Sequence, residues 1–378
     1  MVGIVLLTGG SGAIAYFCHA KYKLFLSADG KGYVSSIVVT AYQIMLSLGK
    51  AIFLLIGFDV LTVQSLYLIL NAGQALIFTI YVRKKYKWVD LKTEPDFEAI
   101  SQRKSVIVHQ ISTLIFNNTD VLLLTFFCDL KAVSIYALYK NLINMIGTLV
   151  NHFSESLNFK LGQTFDDRKK FLRLHDVYET FHVALTFSLC TIAYVFFLPF
   201  LTLYTKGMDA NYLLTYMPLL MCSAEILNYA RIPSQNVITY AGHFKQTQWR
   251  SLLESIINLT VSIAFVFIWG IYGVVLGTVI ALLYRTNDII IYTNHKILRR
   301  SVWGVYRLWI VNILFSALTV LLLNVIPFRF DNYFSLILSA VIVCVVVVPI
   351  QITTNFLINK ESGRELICFI KKKVKKSN

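Results

Sequence analysis

The chain has 378 residues, 57% of them hydrophobic and 15% charged, with 27 Phe and 21 Tyr. A soluble domain carries about 25% charged residues, so this composition excludes an ordinary soluble globular protein. The formal charge of +15 does not point to nucleic acid, because the 35 Lys and Arg gather between apolar runs, the distribution of the positive-inside rule.

In chain order the apolar runs fall at 2–18, 33–57, 60–82, 105–128, 132–154, 180–204, 212–241, 248–269, 271–293, 304–326 and 333–357. Measured against a hydrocarbon core of about 30 Å, they predict an all-α integral membrane protein, a polytopic bundle of about 11 transmembrane helices. The first run, "VGIVLLTGGSGAIAYFC", is short and glycine-rich. The second carries Lys50, and the fourth holds "NNTDVLLLTFF", which sets Asn117, Asn118, Thr119 and Asp120 midway along a span as a polar lining. Lys140 lies about nine residues into the fifth run, too deep to snorkel easily to the surface. The stretch from Phe159 to Val177 mixes aromatic and aliphatic side chains with five basic ones. It reads either as a short helix lying on the inner membrane face or as an ordinary charged loop.

The seventh run contains "AEILNYARIPSQN", in which Glu225, Asn228 and Arg231 recur every three residues and Pro233 follows. Successive members are neighbours on a helix, while Glu225 and Arg231 end up about 120° apart and need not satisfy each other. A run of about 30 residues exceeds one straight crossing, so a kink or an extension is expected there. The ninth run, "IYGVVLGTVIALLYRTND", aligns Gly273 and Gly277 with Gly270 and Ala281, a small-residue stripe for close helix packing. Arg285 and Asp288, three apart near its end, can neutralise each other, with Asn287 beside them. Charged groups in a bilayer are costly and call for a function or a partner. Lys50, Asp120, Lys140, Glu155, Glu225, Arg231, Glu254, Arg285 and Asp288 all fall within or at the edge of runs.

Six basic connections, from "HAKYKLFLSADGKG" to the tail "KKKVKK", alternate with short, weakly charged ones. This places the C-terminus in the cytoplasm. An odd number of spans then starts Met1 outside, unless helices precede it. Six scattered cysteines without a CxxC pair read as reduced packing residues, and seven histidines form no ligand spacing. His109 and His182 are expected near span ends.

The stretches "NNTDVLLLTFFCDLKAVSIYALYKNLINMIGTLV", "YKLFLSADGKGYVSS" and "RIPSQNVITYAGHFKQTQWRSLLESIINL" resemble the bacterial polysaccharide transporter family of lipid-linked oligosaccharide flippases. That family is related to multidrug and toxic compound extrusion antiporters and to lipid II flippases. The resemblance implies 12 or 14 helices in two lobes around a central cavity that opens alternately to either side. It sets "NNTDVLLLTFF" at helix seven, so that helices one to three are expected to be missing from a 14-helix plan. The implied organisation is 1–82 for the remaining N-terminal lobe, 83–104 for a cytoplasmic inter-lobe linker and 105–293 for the C-terminal lobe. Two additional helices at 294–357 and a basic cytoplasmic tail at 358–378 complete it.

The implied activity is flipping of a polyprenyl-pyrophosphate-linked oligosaccharide across the bacterial cytoplasmic membrane for surface polysaccharide synthesis, with no enzymatic step. Ion-coupled multidrug export and an inactive truncated remnant are the alternatives. The substrate path is read as Lys50, Asp120, Lys140, Glu225, Asn228 and Arg231, with Arg285 and Asp288 secondary. The cations are assigned to phosphates, and Asp120 and Glu225 to charge balance or ion coupling. No cofactor or metal is expected beyond coupling to a proton or sodium ion. Membrane lipids and a polysaccharide polymerase or assembly protein are the other partners considered.

Overall fold

The structure, a computed structural model, describes residues 2–88, 97–98, 101–207, 212–325 and 330–377, and among these it contains only helices and their connections. It is an all-α polytopic membrane protein. Two compact units divide the chain, Met1–Asp96 and Phe97–Asn378. Much of the expected linker 83–104 (residues 89–96 and 99–100) lies outside the described residues.

In the first unit, α1 (Val2–Ile14) passes through a π-helical turn, Ala15–His19, into α2 (Ala20–Ala28). The expected end at residue 18 is therefore wrong: the helix runs for 27 residues and absorbs most of the first basic connection. Its turn is short and pinned. Lys31 Nζ donates to Asp29 Oδ2 at 2.5 Å and to the Tyr86 hydroxyl at 2.9 Å, and that hydroxyl donates to Asp29 at 2.6 Å. These bonds, the one from Lys31 foremost, hold the Asp29 carboxyl below its ordinary range. Helix α3 (Gly32–Ile56) stops at Gly57, whose φ of 92° is the left-handed cap. Helix α4 (Val60–Lys85) starts where the Asp59 side chain accepts from the Thr62 N–H at 3.0 Å.

The second unit contains α5 (Arg103–Phe127), α6 (Leu130–Gln163), α7 (Arg168–Tyr204), α8 (Met217–Ala230), α9 (Ile232–Tyr240), α10 (Phe244–Trp269) and α11 (Ile271–Tyr292). A π-helical turn, Thr293–Leu298, prolongs α11, and α12 (Trp303–Asn324), α13 (Tyr333–Ile358) and α14 (Lys360–Ser377) follow. Side chains of Asp129, Asp167 and Asn332 cap α6, α7 and α13 by accepting a backbone N–H three residues on. The stretch Phe159–Val177, read as a short surface helix or a charged loop, is instead the end of α6 and the start of α7 around a four-residue turn at 164–167. The two helices have 34 and 37 residues, or about 51 and 56 Å at 1.5 Å per residue. Both overshoot the hydrocarbon core at the end where they meet. The basic C-terminal tail is helical over Lys360–Ser377.

Among the described residues nine helices are long and apolar enough to cross a membrane. The runs at 105–128 and 212–241 are absent from that set. The first contains too many polar groups, and the second is two helices interrupted at Arg231. Helices α7 and α11 carry the most buried side chains, while α13 packs Leu336 and Val347 against Ile192 and Phe196 of α7 and leaves most of its other apolar side chains exposed. Tyr139, Leu124, Ile143, Leu201, Met217 and Val274 centre the main core among α5, α6, α7, α8 and α11. The small-residue stripe behaves as read. Gly270 turns the chain at φ 53°, and a Cβ on Gly277 would come within 2.7 Å of the Ser262 backbone nitrogen, so α10 and α11 touch backbone to backbone.

Candidate functional site

The interruption at Arg231 organises the second unit. Pro233 is the second residue of α9 and has no N–H to give to the Tyr229 carbonyl. His182 Nε2 takes that carbonyl instead, at 2.9 Å. Proline is tolerated in a first turn because N–H groups there have no helical partner anyway. The chain thus breaks without stranding a carbonyl, and Arg231 sits in the break.

Arg231 is 8% exposed. Its Nη1 donates to Glu254 Oε1 and its Nη2 to Asn228 Oδ1, both at 3.0 Å, while its Nε has no partner. The other oxygen of Glu254 lies 3.5 Å from Arg285 Nε, Arg285 Nη1 donates to Asp288 Oδ2 at 2.7 Å, and Asp288 also pairs with Arg250. Three guanidiniums share two carboxylates, leaving one positive charge over. Arg231 and Glu254 open onto a cavity of about 380 Å³ walled by Asn117, Asn151, Asn158, Asn228, Gln235 and Asn236. A wall rich in amides beside a surplus cation suits a hydrated, polar and anionic group.

A second cluster shares α10 and α11 with the first and adds Asp120 of α5 and Tyr136 of α6. Asp120 is 5% exposed and accepts from the Tyr136 hydroxyl at 2.7 Å and from Thr278 Oγ1 at 2.8 and 3.0 Å. Asn258 Nδ2 donates to Thr278 Oγ1 at 2.9 Å, and its own Oδ1 has no partner. Among the described residues Asp120 makes no ion pair. Lys140 is within electrostatic reach of both Asp120 and Glu225. A buried carboxylate among neutral oxygens is chemically suited to take a proton or a hard monovalent cation.

The expected residues thus separate into groups. Asn228 and Arg231 line the cavity; Glu225 is buried beside Asn228 and is not part of its wall. Glu225 and Arg231 do not pair, as their angular separation predicts. Arg285 and Asp288 do pair, within the arginine network. The polar lining expected of Asn117 to Asp120 is corrected: Asn117 reaches the cavity, Asn118 is exposed and donates to the Leu114 carbonyl, and Thr119 and Asp120 are buried. A helix cannot turn four consecutive side chains to one side. Lys50 belongs to the first unit, half-buried with its ammonium 5.7 Å above the Tyr67 ring. The side chain of Glu155 lies outside the described set. Sequence reading missed Asn151 and Asn158, whose seven-residue spacing on α6 was the available signal for a shared face. The cysteines are free and His109 bonds the Phe244 carbonyl at 3.1 Å.

No protein-family profile matches the sequence, and no curated protein matches it. Among solved structures the chain is similar to the lipid II flippase MurJ in an inward closed conformation, at 17% identity and a TM-score of 0.58. The likeness covers 96% of this chain and 74% of that one. The chain therefore has a MurJ-like fold.

Proposed function

We propose that the protein is a flippase for a polyprenyl-pyrophosphate-linked oligosaccharide in the bacterial cytoplasmic membrane, with its basic connections in the cytoplasm. The observation that carries this reading is the amide-lined cavity with Arg231 at its helix break. The guanidinium, already held by Glu254 and Asn228, has further N–H groups on its two terminal nitrogens to offer a phosphate. The amide walls provide exchangeable hydrogen bonds for sugar hydroxyls. The polyprenyl chain needs no cavity of its own, since it can stay in the bilayer. The MurJ-like fold supports transport of a lipid-linked cargo by alternating access. Asp120 and its hydroxyl partners are the place where a proton or sodium ion would couple to that cycle.

The test is binding to reconstituted protein of a polyprenyl-pyrophosphate glycan and of a neutral polyprenyl glycoside. Arg231→Gln is expected to weaken the pyrophosphate ligand by at least about tenfold, the loss of one charged hydrogen-bonded contact, and to leave the neutral one within twofold. Arg231→Lys should recover part of the loss. A folded Arg231→Gln protein that binds both ligands as before would remove the arginine, and this reading, from the cavity.

A further inference from the structure

The end of the second unit where α6 and α7 overshoot the core holds another cluster, distinct from the cavity. His175, Asp176 and Glu179 lie in the second and third turns of α7, and one ligand atom from each falls within 4.8 Å of the others. His175 is 1% exposed. Its Nε2 contacts the Pro233 carbonyl at 3.3 Å. A carbonyl can only accept, so Nε2 donates to it and Nδ1 is the ring nitrogen left facing the carboxylates. That Nδ1 has no hydrogen-bond partner and lies 4.0 Å from both Asp176 Oδ1 and Glu179 Oε2, too far to bond either. A buried imidazole oriented by a carbonyl behind it, with its unpartnered nitrogen facing two carboxylates, has the arrangement of a metal ligand.

We infer that His175, Asp176 and Glu179 form a site for a divalent transition-metal ion of the zinc type, gated by Arg300. The guanidinium of Arg300 now bridges the two carboxylates, at 2.9 Å to Glu179 and in close contact with Asp176. It carries one positive charge against their two negative ones. A divalent ion in its place balances both carboxylates and engages the nitrogen that the guanidinium leaves unused. Bonds of about 2.0–2.2 Å in tetrahedral geometry set ligand atoms roughly 3.4 Å apart, an approach that side-chain rotation can supply. Access runs past the carboxylates: Asp176 is 34% exposed at its side chain, and Asp176 and Glu179 line a cleft of about 610 Å³, with the buried His175 behind them. For the metal to enter, the Arg300 side chain must leave both carboxylates and the Asn294 Oδ1 to which its Nε donates at 2.6 Å, while its backbone N–H stays bonded to the Asn294 carbonyl at 2.9 Å. Arg307 and Lys360, with Glu361, line the cleft beyond the ligands, and water is the expected fourth ligand. The inference does not rest on the transport reading.

Calorimetric titration of Zn²⁺ into the chelator-treated full chain in detergent tests it, with Mg²⁺ as the control. One saturable Zn²⁺ site per chain is expected, and none for Mg²⁺, which prefers oxygen ligands and keeps its waters. His175→Gln and Asp176→Asn should each weaken Zn²⁺ at least tenfold, and Arg300→Gln should strengthen it at least tenfold by removing the resident cation. Asp176 is the more exposed ligand, so its variant decides the matter if His175→Gln does not fold. Unchanged Zn²⁺ binding in Asp176→Asn, or no gain in Arg300→Gln, would overturn the site.

Discussion

Two buried charge clusters share helices α10 and α11 and differ in how their charge is held. Around Arg231, three guanidiniums divide two carboxylates beside an open cavity, and every member is bonded to a neighbour of opposite sign. Around Asp120, one carboxylate is satisfied by hydroxyls alone and sealed from the cavity. The first arrangement can trade one anionic partner for another, because removing a carboxylate from a shared guanidinium leaves other bonds in place. The second can trade only a positive charge, since its donors rotate and its acceptor is already negative. In the proposed reading the anion site and the cation site lie one to two helical turns apart along this pair of helices, Glu254 and Asn258 being four residues apart on α10 and Thr278 and Arg285 seven apart on α11.

The comparison depends on the contact between α10 and α11, and wedging them apart should have the largest effect. Gly277→Val places a branched side chain against the Ser262 backbone, which cannot rotate aside as a side chain would. Overpacking of this kind costs about 3 kcal/mol or more, and both clusters lose their geometry together. The expected outcome is a collapse in the monodisperse fraction on size exclusion in detergent. A normal yield and melting temperature would mean that the two helices can separate without harm, and the clusters would then be independent.

Glu254→Gln addresses the arginine cluster alone. It leaves Arg231 and Arg285 facing a neutral amide and raises the surplus from one positive charge to two. Breaking a buried pair costs about 3–5 kcal/mol when the remaining charge is stranded; the open cavity and retained hydrogen-bond geometry put this variant at the lower end. Its melting temperature should fall and then recover on adding inorganic pyrophosphate, with little recovery in the wild type. A drop that pyrophosphate does not reverse would mean that these arginines do not accept an anion in place of the carboxylate.

Much of this contrast was legible in the residues, though not its boundaries. Helical spacing separated Glu225 from Arg231 and joined Arg285 to Asp288, because those relations are local and set by 3.6 residues per turn. The partnership of Arg231 with Glu254 spans 23 residues and two helices, and only packing selects Glu254 over Glu225. Hydropathy located the spans but misplaced their ends at 18, 154 and 180, since a helix continues past the membrane wherever its backbone remains bonded and nothing caps it. The cluster at His175 was hidden because the stretch read as a loop or surface helix ended at Val177 and the next run began at 180, so Glu179 fell between them and its i, i+4 relation to His175 went unread.

The smallest expected effect concerns Thr278, and it discriminates most finely between the clusters. Its hydroxyl is bonded to both oxygens of Asp120 and receives Asn258, so it joins the carboxylate to α10. Thr278→Val keeps the shape and removes the bond. Interhelical hydrogen bonds within membranes are worth about 0.6 kcal/mol on average and at most about 1.7, so the loss in stability should be near 1 kcal/mol. The response to cations should change more than the stability does. If Asp120 takes up sodium or a proton, wild-type melting temperature depends on sodium concentration or pH, and Thr278→Val should diminish that dependence while Thr278→Ser restores it. Pyrophosphate binding at Arg231 should be unaffected in both variants, because Thr278 does not touch the arginine network. A Thr278→Val protein with an unaltered cation response but weakened pyrophosphate binding would reverse the assignment of the two clusters.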